Sequence, residues 1–132
     1  MTELDEAIMT KFNSLTGGLH NSLHIAVGGR LHNEGAPLNT PSPFISLHEI
    51  SDMYEYNFTD DFENVLIQFN IYSNTIPELN TLFGYMKTLF DNCSLSVSGY
   101  SHVYMRREQS YKMKRDDYYQ RTVEYRILVE KS

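Results

Sequence analysis

The sequence lacks several features that would assign it to a secreted, membrane-bound or metal-binding class. Cys93 is its only cysteine, so an internal disulfide is excluded and a cysteine-based metal cage is not expected. There is no run of about 18 apolar residues, and no basic segment followed by an apolar stretch opens the chain. These absences predict a chain that is made in the cytosol and is neither secreted nor membrane-spanning.

Basic residues are also scarce. The 11 Lys and Arg residues stand against 17 Asp and Glu residues, which gives a formal net charge of −6. General attraction to phosphate is therefore not expected to drive nucleic-acid binding, although a local basic patch remains possible. The chain has 132 residues, of which 41% are hydrophobic and 21% charged. Because this is ordinary for a folded protein of this length, we expect one domain over residues 1–132.

Motifs for catalysis and cofactor binding are missing. The carboxylate pairs Asp60–Asp61 and Asp116–Asp117 lie on predicted turns, whereas general acid–base catalysis needs carboxylates held in a pocket. The pair Gly28–Gly29 lacks the full glycine pattern and the preceding strand of a phosphate-binding loop. No serine lies in a nucleophile-elbow motif. The sequence therefore predicts no catalytic residue, no cofactor site, no metal site and no enzymatic activity.

The segment 19–43 is rich in glycine and proline and predicts a long connection. One short helical or strand-like piece is expected near residues 23–27. His20, His24 and His32 lie in this segment, but a zinc site would need further ligands at short spacing, so we interpret them as loop histidines. Because long irregular connections are uncommon in compact domains, this one is expected to have a function.

Hydrophobic periodicity identifies the regular elements. In residues 62–73 every second residue is apolar, with Val65, Ile67, Phe69 and Ile71 on one parity, as in a half-buried strand. Helical spacing follows it, carried by Leu79, Leu82, Phe83, Met86, Leu89 and Phe90.

A first helix and three further strands complete the predicted elements. The helix spans residues 2–15 and carries an apolar stripe of Leu4, Ile8, Phe12 and Leu15. The strands span residues 43–56, 94–107 and 118–130. In the second of these, one parity contains Leu95, Val97, Val103 and Met105.

The order of elements is helix, long loop, strand, strand, helix, strand, strand. It predicts an α+β fold, in which two β-hairpins form a four-stranded, mainly antiparallel sheet and two helices pack on one face. The stretch 108–117 is predicted to be the polar tip of the second hairpin.

The two hairpin tips differ in charge. The first tip is acidic and contains Asp52, Glu55, Asp60, Asp61 and Glu63. The second tip is basic and contains Arg106, Arg107, Lys112, Lys114 and Arg115. Three interpretations are open: two solvated turns, a head-to-tail contact between copies of the chain, or a local contact with DNA at the basic tip.

The chain resembles the tail terminator, or tail-completion, proteins of long-tailed bacteriophages, prophages and gene-transfer particles. The resemblance covers nearly the whole chain. It rests on the loop GGRLHNEGAPLNTPSPFISL, on the alternating strand followed by an amphipathic helix, and on the C-terminal strand RTVEYRILVE.

This resemblance implies a structural virion protein without a cofactor. Such a protein forms a ring, with six copies expected, that caps the tail tube at its head-proximal end. The implied partners are the tail tube protein and a head–tail connector protein, with DNA passing non-specifically through an acidic lumen. Before assembly the chain would lie in the host cytoplasm. The alternatives are a head-closure or connector protein and a small-molecule-binding α+β domain with a pocket between sheet and helices.

Overall fold

The computed structural model describes residues 2–37, 39–56 and 61–132, with the backbone alone described for residues 54–56. The elements in chain order are α1 (Thr2–Phe12), β1 (Leu15–Thr16), β2 (Leu19–His20), α2 (Ser22–Ala26), β3 (Leu31–Asn33), β4 (Phe44–Tyr56), β5 (Asp61–Ser73), α3 (Ile76–Phe90), β6 (Tyr100–Lys114) and β7 (Tyr119–Lys131).

The main sheet has five strands in the order β3-β4-β5-β7-β6. The two long hairpins, β4–β5 and β6–β7, are antiparallel and adjacent, so the predicted α+β class is confirmed. The predicted count of four strands was wrong, because β3 adds a fifth strand parallel to β4. With three residues, β3 is too short for an alternating pattern. Hydrogen bonds to β4, such as Glu34 N to Leu47 O at 2.7 Å, hold the chain beside it.

Strand β5 lies at the centre of the sheet, and its predicted buried face is confirmed. Val65, Ile67, Phe69 and Ile71 have no exposed surface. The Phe69 ring packs 4.9 Å from the Phe90 ring of α3, measured between centroids. The buried apolar residues of helices and sheet form one cluster, so this face of β5 anchors the core.

Helix α3 begins where the sequence changes from strand to helix period. Thr75 is the N-cap, and its side chain accepts a hydrogen bond from Glu78 N at 3.3 Å. Four of the six predicted apolar positions are buried, namely Leu79, Leu82, Met86 and Phe90. Phe83 and Leu89 are only partly buried.

The N-terminal helix is shorter than predicted. Leu4, Ile8 and Phe12 are buried in α1, but the helix ends at Phe12. The small β1–β2 ladder follows it and turns at Gly17–Gly18, where both φ angles are positive. Leu15 lies in this ladder and is 60% exposed, so its predicted place in the helical stripe was wrong. Helix α2 occupies the segment in which a short helical or strand-like piece was expected, and it brings the number of helices in the described residues to three, whereas two were predicted.

Strand β6 departs most from its prediction. It begins at Tyr100, leaving Leu95 and Val97 buried in an irregular segment. Register shifts at His102/Tyr104 and Arg107/Gln109 change its parity, so Val103 is 48% exposed. The strand continues to Lys114, and most of the predicted tip 108–117 is therefore strand. The turn itself lies at residues 115–118, closed by Arg115 N donating to Tyr118 O at 2.8 Å.

Candidate interaction surfaces

The two charged hairpin ends lie at opposite ends of the sheet. Strand β5 pairs with β7 from Phe62↔Glu130 to Ser73↔Tyr119. The β4–β5 turn is therefore at one end, and the β6–β7 turn is at the other. Since a strand rises about 3.3 Å per residue, the length of β5 separates the two ends by about 40 Å.

The acidic end comprises Asp52, Asp61 and Glu63. Asp61 and Glu63 share the parity of buried Val65, and Asp52 stands opposite Val65 in the register, so all three belong to the helix-bearing face. Two other predicted acids cannot be placed: Asp60 and the side chain of Glu55 lie outside the described residues.

Like charges at the acidic end perturb one another. Burial, followed by the charge of Glu49, raises the pKa of Asp52. Burial, followed by the charge of Asp52, raises the pKa of Glu63. Tyr100 Oη donates to Glu63 Oε1 at 3.4 Å. The other oxygen of Glu63, Oε2, is buried without a hydrogen-bond partner. Ionisation of Asp52 and Glu63 is therefore less favourable than that of free carboxyl groups.

The five predicted basic residues do not form one group. Arg107, Lys112 and Lys114 stand opposite Tyr125, Arg121 and Tyr119 of β7, which places all three on the helix-bearing face. Arg115 lies at the turn, where its Nε donates to Gln120 Oε1 at 3.4 Å.

Arg106 lies on the opposite face of the sheet. It pairs in register with Arg126, and its guanidinium lies 4.4 Å from the centroid of the Tyr104 ring. Arg126 donates to Glu108 Oε1 at 2.5 Å and to Asn64 Oδ1 at 2.8 Å.

Two cations that were not predicted join the helix-bearing group, and the Phe83 ring contacts three of its members. The distances to the centroid of the Phe83 ring are 4.3 Å from Arg121, 4.7 Å from Lys87 Nζ and 5.5 Å from Arg107. We name this surface the Phe83 patch and define it as Phe83, Lys87, Arg107, Lys112, Lys114 and Arg121.

Only part of the Phe83 patch is neutralised by the chain itself. Arg107 Nε lies 3.3 Å from Asp91 Oδ2, and Asp91 Oδ1 also accepts a bond of 2.6 Å from Tyr125 Oη. Within the described residues, no ion pair links Lys112, Lys114 or Arg121 to an acid.

Arg121 is the most constrained cation of the patch. Its Nη1 donates to Ser110 Oγ at 3.3 Å, whereas its Nε is buried without a hydrogen-bond partner. Burial, followed by the charge of Arg107, lowers the pKa of Arg121. Because guanidinium stays charged in proteins, the patch keeps an incompletely bonded positive charge.

The sequence offered one signal for this patch. Arg121 occupies the parity of the buried residues Val123, Tyr125, Ile127 and Val129, where an apolar side chain would be expected. Lys87 and Phe83 come from a different element, and only tertiary packing brings them to Arg121.

The other residues considered for chemistry do not form a site. The His20 and His24 rings stack with centroids 3.8 Å apart, and burial and the charge of His20 lower the pKa of His24. Within residues 2–37, 39–56 and 61–132, no group of three or more potential metal ligands is present. Cys93 is half-buried and burial raises its pKa, which disfavours the reactive thiolate.

A small-molecule pocket was expected, under one alternative, between the sheet and the helices. The side chains that meet there are buried and packed together. One groove lies instead on the opposite face of the sheet, beside Phe44, Tyr72 and Tyr118. No helix in the described part of the chain is long and apolar enough to cross a membrane.

Comparisons with known proteins identify the fold. No family model matches the sequence, and no curated protein matches it. The chain is similar in structure to a chain from the virion of a native gene transfer agent particle, with a TM-score of 0.82 and 13% identity. The match covers 96% of this chain and 94% of the other. A second solved structure is similar at a TM-score of 0.63 and 8% identity, with 99% and 94% covered.

Proposed function

We propose that the chain is a structural virion protein that forms a ring on the end of a tail tube. The ring ends tail polymerisation and offers the surface to which the head joins. The observation that carries the proposal is the similarity to a gene transfer agent virion chain over 96% of this chain. A match over nearly all of both chains supports a role for the complete fold.

The charge distribution supports self-assembly. The acidic end and the Phe83 patch lie in opposite halves of one sheet and belong to the same face. A contact between two different surfaces of identical subunits repeats with a fixed rotation and closes into a ring when that rotation divides a full turn. Opposite charges at the two surfaces would select the head-to-tail orientation. Six copies is the number we propose.

The proposed ring has two neighbours and a central channel. The tail tube protein would bind one side and a head–tail connector protein the other. The net charge of −6 would let DNA pass through the lumen without binding to its wall. In this function the chain supplies surfaces and performs no chemical reaction.

The test is to remove the chain from cells that produce its particles and to measure tails by electron microscopy. We expect tubes of uncontrolled length that carry no heads, and restoration of normal tails by the wild-type chain. Tails of normal length with heads attached would contradict the proposal. Tails of normal length without heads would favour a head-closure or connector protein and would contradict a role in ending polymerisation.

A further inference from the structure

We infer that the Phe83 patch is the receptor for the acidic end of a second copy of the chain, with the carboxylates of Asp52 and Asp61 as its ligands. The inference rests on the proposed self-assembly and names the two surfaces that meet. The sequence suggested a contact between two hairpin tips. The inferred contact instead joins one hairpin end to a surface built from α3, β6 and β7.

The first reason is that like charges face one another in the patch. Lys112 stands directly opposite Arg121 in the β6–β7 register. Directly opposed like charges destabilise a sheet. Within the described residues neither side chain has an ion pair with an acid. An acidic ligand from outside the chain would remove this repulsion.

The second reason is the orientation of Arg121. Its guanidinium packs on Phe83 and is held on one side by Ser110, so the side chain is positioned before any ligand arrives. Its Nε is buried and has no partner. That nitrogen is covered by the chain, so an outside ligand would meet the accessible part of the side chain, since Arg121 as a whole is only half-buried. Charge-assisted bonds to carboxylates are among the stronger hydrogen bonds. A carboxylate is the ligand that this geometry suits.

The third reason is that the acidic end has complementary properties. Burial, followed by the charge of a neighbouring carboxylate, raises the pKa of Asp52 and that of Glu63 in the isolated chain; the neighbour is Glu49 for Asp52 and Asp52 for Glu63. Contact with cations would favour the charged forms of both groups. Asp52 stands opposite Val65 of β5, whereas Arg121 stands opposite Ile71, so about 20 Å of strand separates them at 3.3 Å per residue. A side-chain ion pair cannot span that distance, so Asp52 and Arg121 can be joined only between copies.

DNA phosphate is the competing ligand for these cations. A phosphate backbone would require only positive charge, whereas a second copy requires both the Phe83 patch and the acidic end. A charge-swap experiment distinguishes the two, because only the second copy can be altered in a complementary way.

The experiment uses two variants of the full chain and measures their association by sedimentation. One reverses the patch, Lys112→Glu with Lys114→Glu, and the other reverses the acidic end, Asp52→Lys with Asp61→Lys. Each variant alone should associate about tenfold or more weakly than the wild type, because like charges then meet. An equimolar mixture of the two should recover association, since each altered surface finds an opposite charge. The variant carrying all four substitutions should also recover.

Arg106→Glu is the matched control. It makes the same kind of charge reversal, at one position instead of two, on the same strand but on the opposite face of the sheet, so it should leave association unchanged. Unfolding curves verify that each variant is folded. Lys112→Glu places an opposite charge beside Arg121 and should not weaken the monomer.

The outcomes separate the inference from the proposed function. If the wild-type chain forms rings and patch reversal leaves them intact, the inference is wrong and the proposed function stands. If each variant loses association but neither the mixture nor the fourfold variant recovers it, the second copy is not the ligand. If the wild type binds an oligonucleotide, and patch reversal removes that binding without affecting assembly, the patch is assigned to DNA. If head-to-tail pairs obey the charge swap but rings never form, the inference holds and the proposed function fails.

Discussion

Among single residues, Phe69 contributes most visibly to the core. It is fully buried at the centre of β5, between Phe90 of α3 and Tyr125 of β7, with ring centroids 4.9 Å and 5.9 Å away. Three aromatic side chains from three elements therefore meet at one point. Loss of this ring would therefore weaken the packing of α3 on the sheet as well as the packing of β5 itself.

Phe69→Ala should lower the free energy of unfolding by about 3–5 kcal/mol, because it removes a buried ring and leaves a cavity. Chemical denaturation of the isolated chain measures the change. Phe44→Ala is a suitable comparison, since Phe44 lies on the opposite face and is only half-buried, so it should cost less. A loss below about 1 kcal/mol for Phe69→Ala would contradict the assigned core.

Glu63 should make the isolated chain's stability depend on pH. Its pKa in the folded state is raised above the ordinary value of 4.5 by burial and by Asp52. Stability from such a group is present below the unfolded-state pKa and is lost as pH rises through the folded-state pKa. At neutral pH, ionised Glu63 therefore destabilises the fold.

Glu63→Gln should raise the free energy of unfolding at neutral pH, and the difference from the wild type should vanish below pH 4.5, where Glu63 is protonated. Denaturation curves over a pH series test this. Glu6→Gln, on the exposed surface of α1, is the matched control for the substitution itself and should change the free energy of unfolding at neutral pH by less than about 0.5 kcal/mol. If Glu63→Gln raised the free energy of unfolding more at low pH than at neutral pH, the prediction would be contradicted.

At the scale of elements, the junction between β5 and α3 joins the central strand to the helix that covers it. Thr75 caps the helix, and the fully buried Ser73 hydroxyl donates to Glu78 Oε1 at 2.5 Å. These bonds use a donor of the first helical turn that would otherwise lack a partner. The junction thus fixes where the helix begins and which face meets the sheet.

Thr75→Ala should cost about 1 kcal/mol of unfolding free energy, because the first turn of α3 loses its cap. Thr88→Ala removes a similar hydroxyl from the same helix, where it bonds only to Gly84 O on an exposed surface, and should be nearly neutral. Thermal or urea unfolding of the two variants gives the comparison. Equal costs would show that the cap does not determine the stability of this junction.

Elements with long, regular patterns could be predicted from the sequence, and short or bulged ones could not. Strand β5 and helix α3 each repeat one period over at least three buried residues. The type of each element and its buried face could therefore be predicted from the sequence. Strand β3 is too short to show a period and depends on its pairing with β4. The parity of β6 changes at its bulges, and no residue type in the sequence predicts these bulges. Val103 was assigned to the wrong face of the strand for that reason.

The candidate surfaces likewise include a part that could be predicted from the sequence and a part that could not. The opposite charges of the two hairpins are visible in the sequence, because each set lies close together along the chain. The Phe83 patch was missed, because Lys87 and Arg121 are 34 positions apart and meet only through the packing of α3 on the sheet. The separation of Arg106 from Arg107, onto opposite faces, follows from strand geometry once the strand is known to extend that far.

For the whole molecule, the separation of charge along the sheet is the property that relates the fold to the proposed assembly. Within the described residues, the helix-bearing face carries Asp52, Asp61 and Glu63 in one half, and in the other half it carries Lys112, Lys114 and Arg121, which have no ion pair with an acid. The net charge of the chain is negative and does not reveal this separation of charge. A polar subunit of this kind favours head-to-tail association, and closure of that association into a ring is the central claim.

Native mass measurement of the purified chain, alone and with tail tubes, tests that claim most directly. We predict a closed species of about six times the 15.4 kDa chain mass, either in solution or bound at tube ends, and its loss at high salt as the charged contacts are screened. A chain that stays monomeric at every concentration and does not assemble on tube ends would contradict the account.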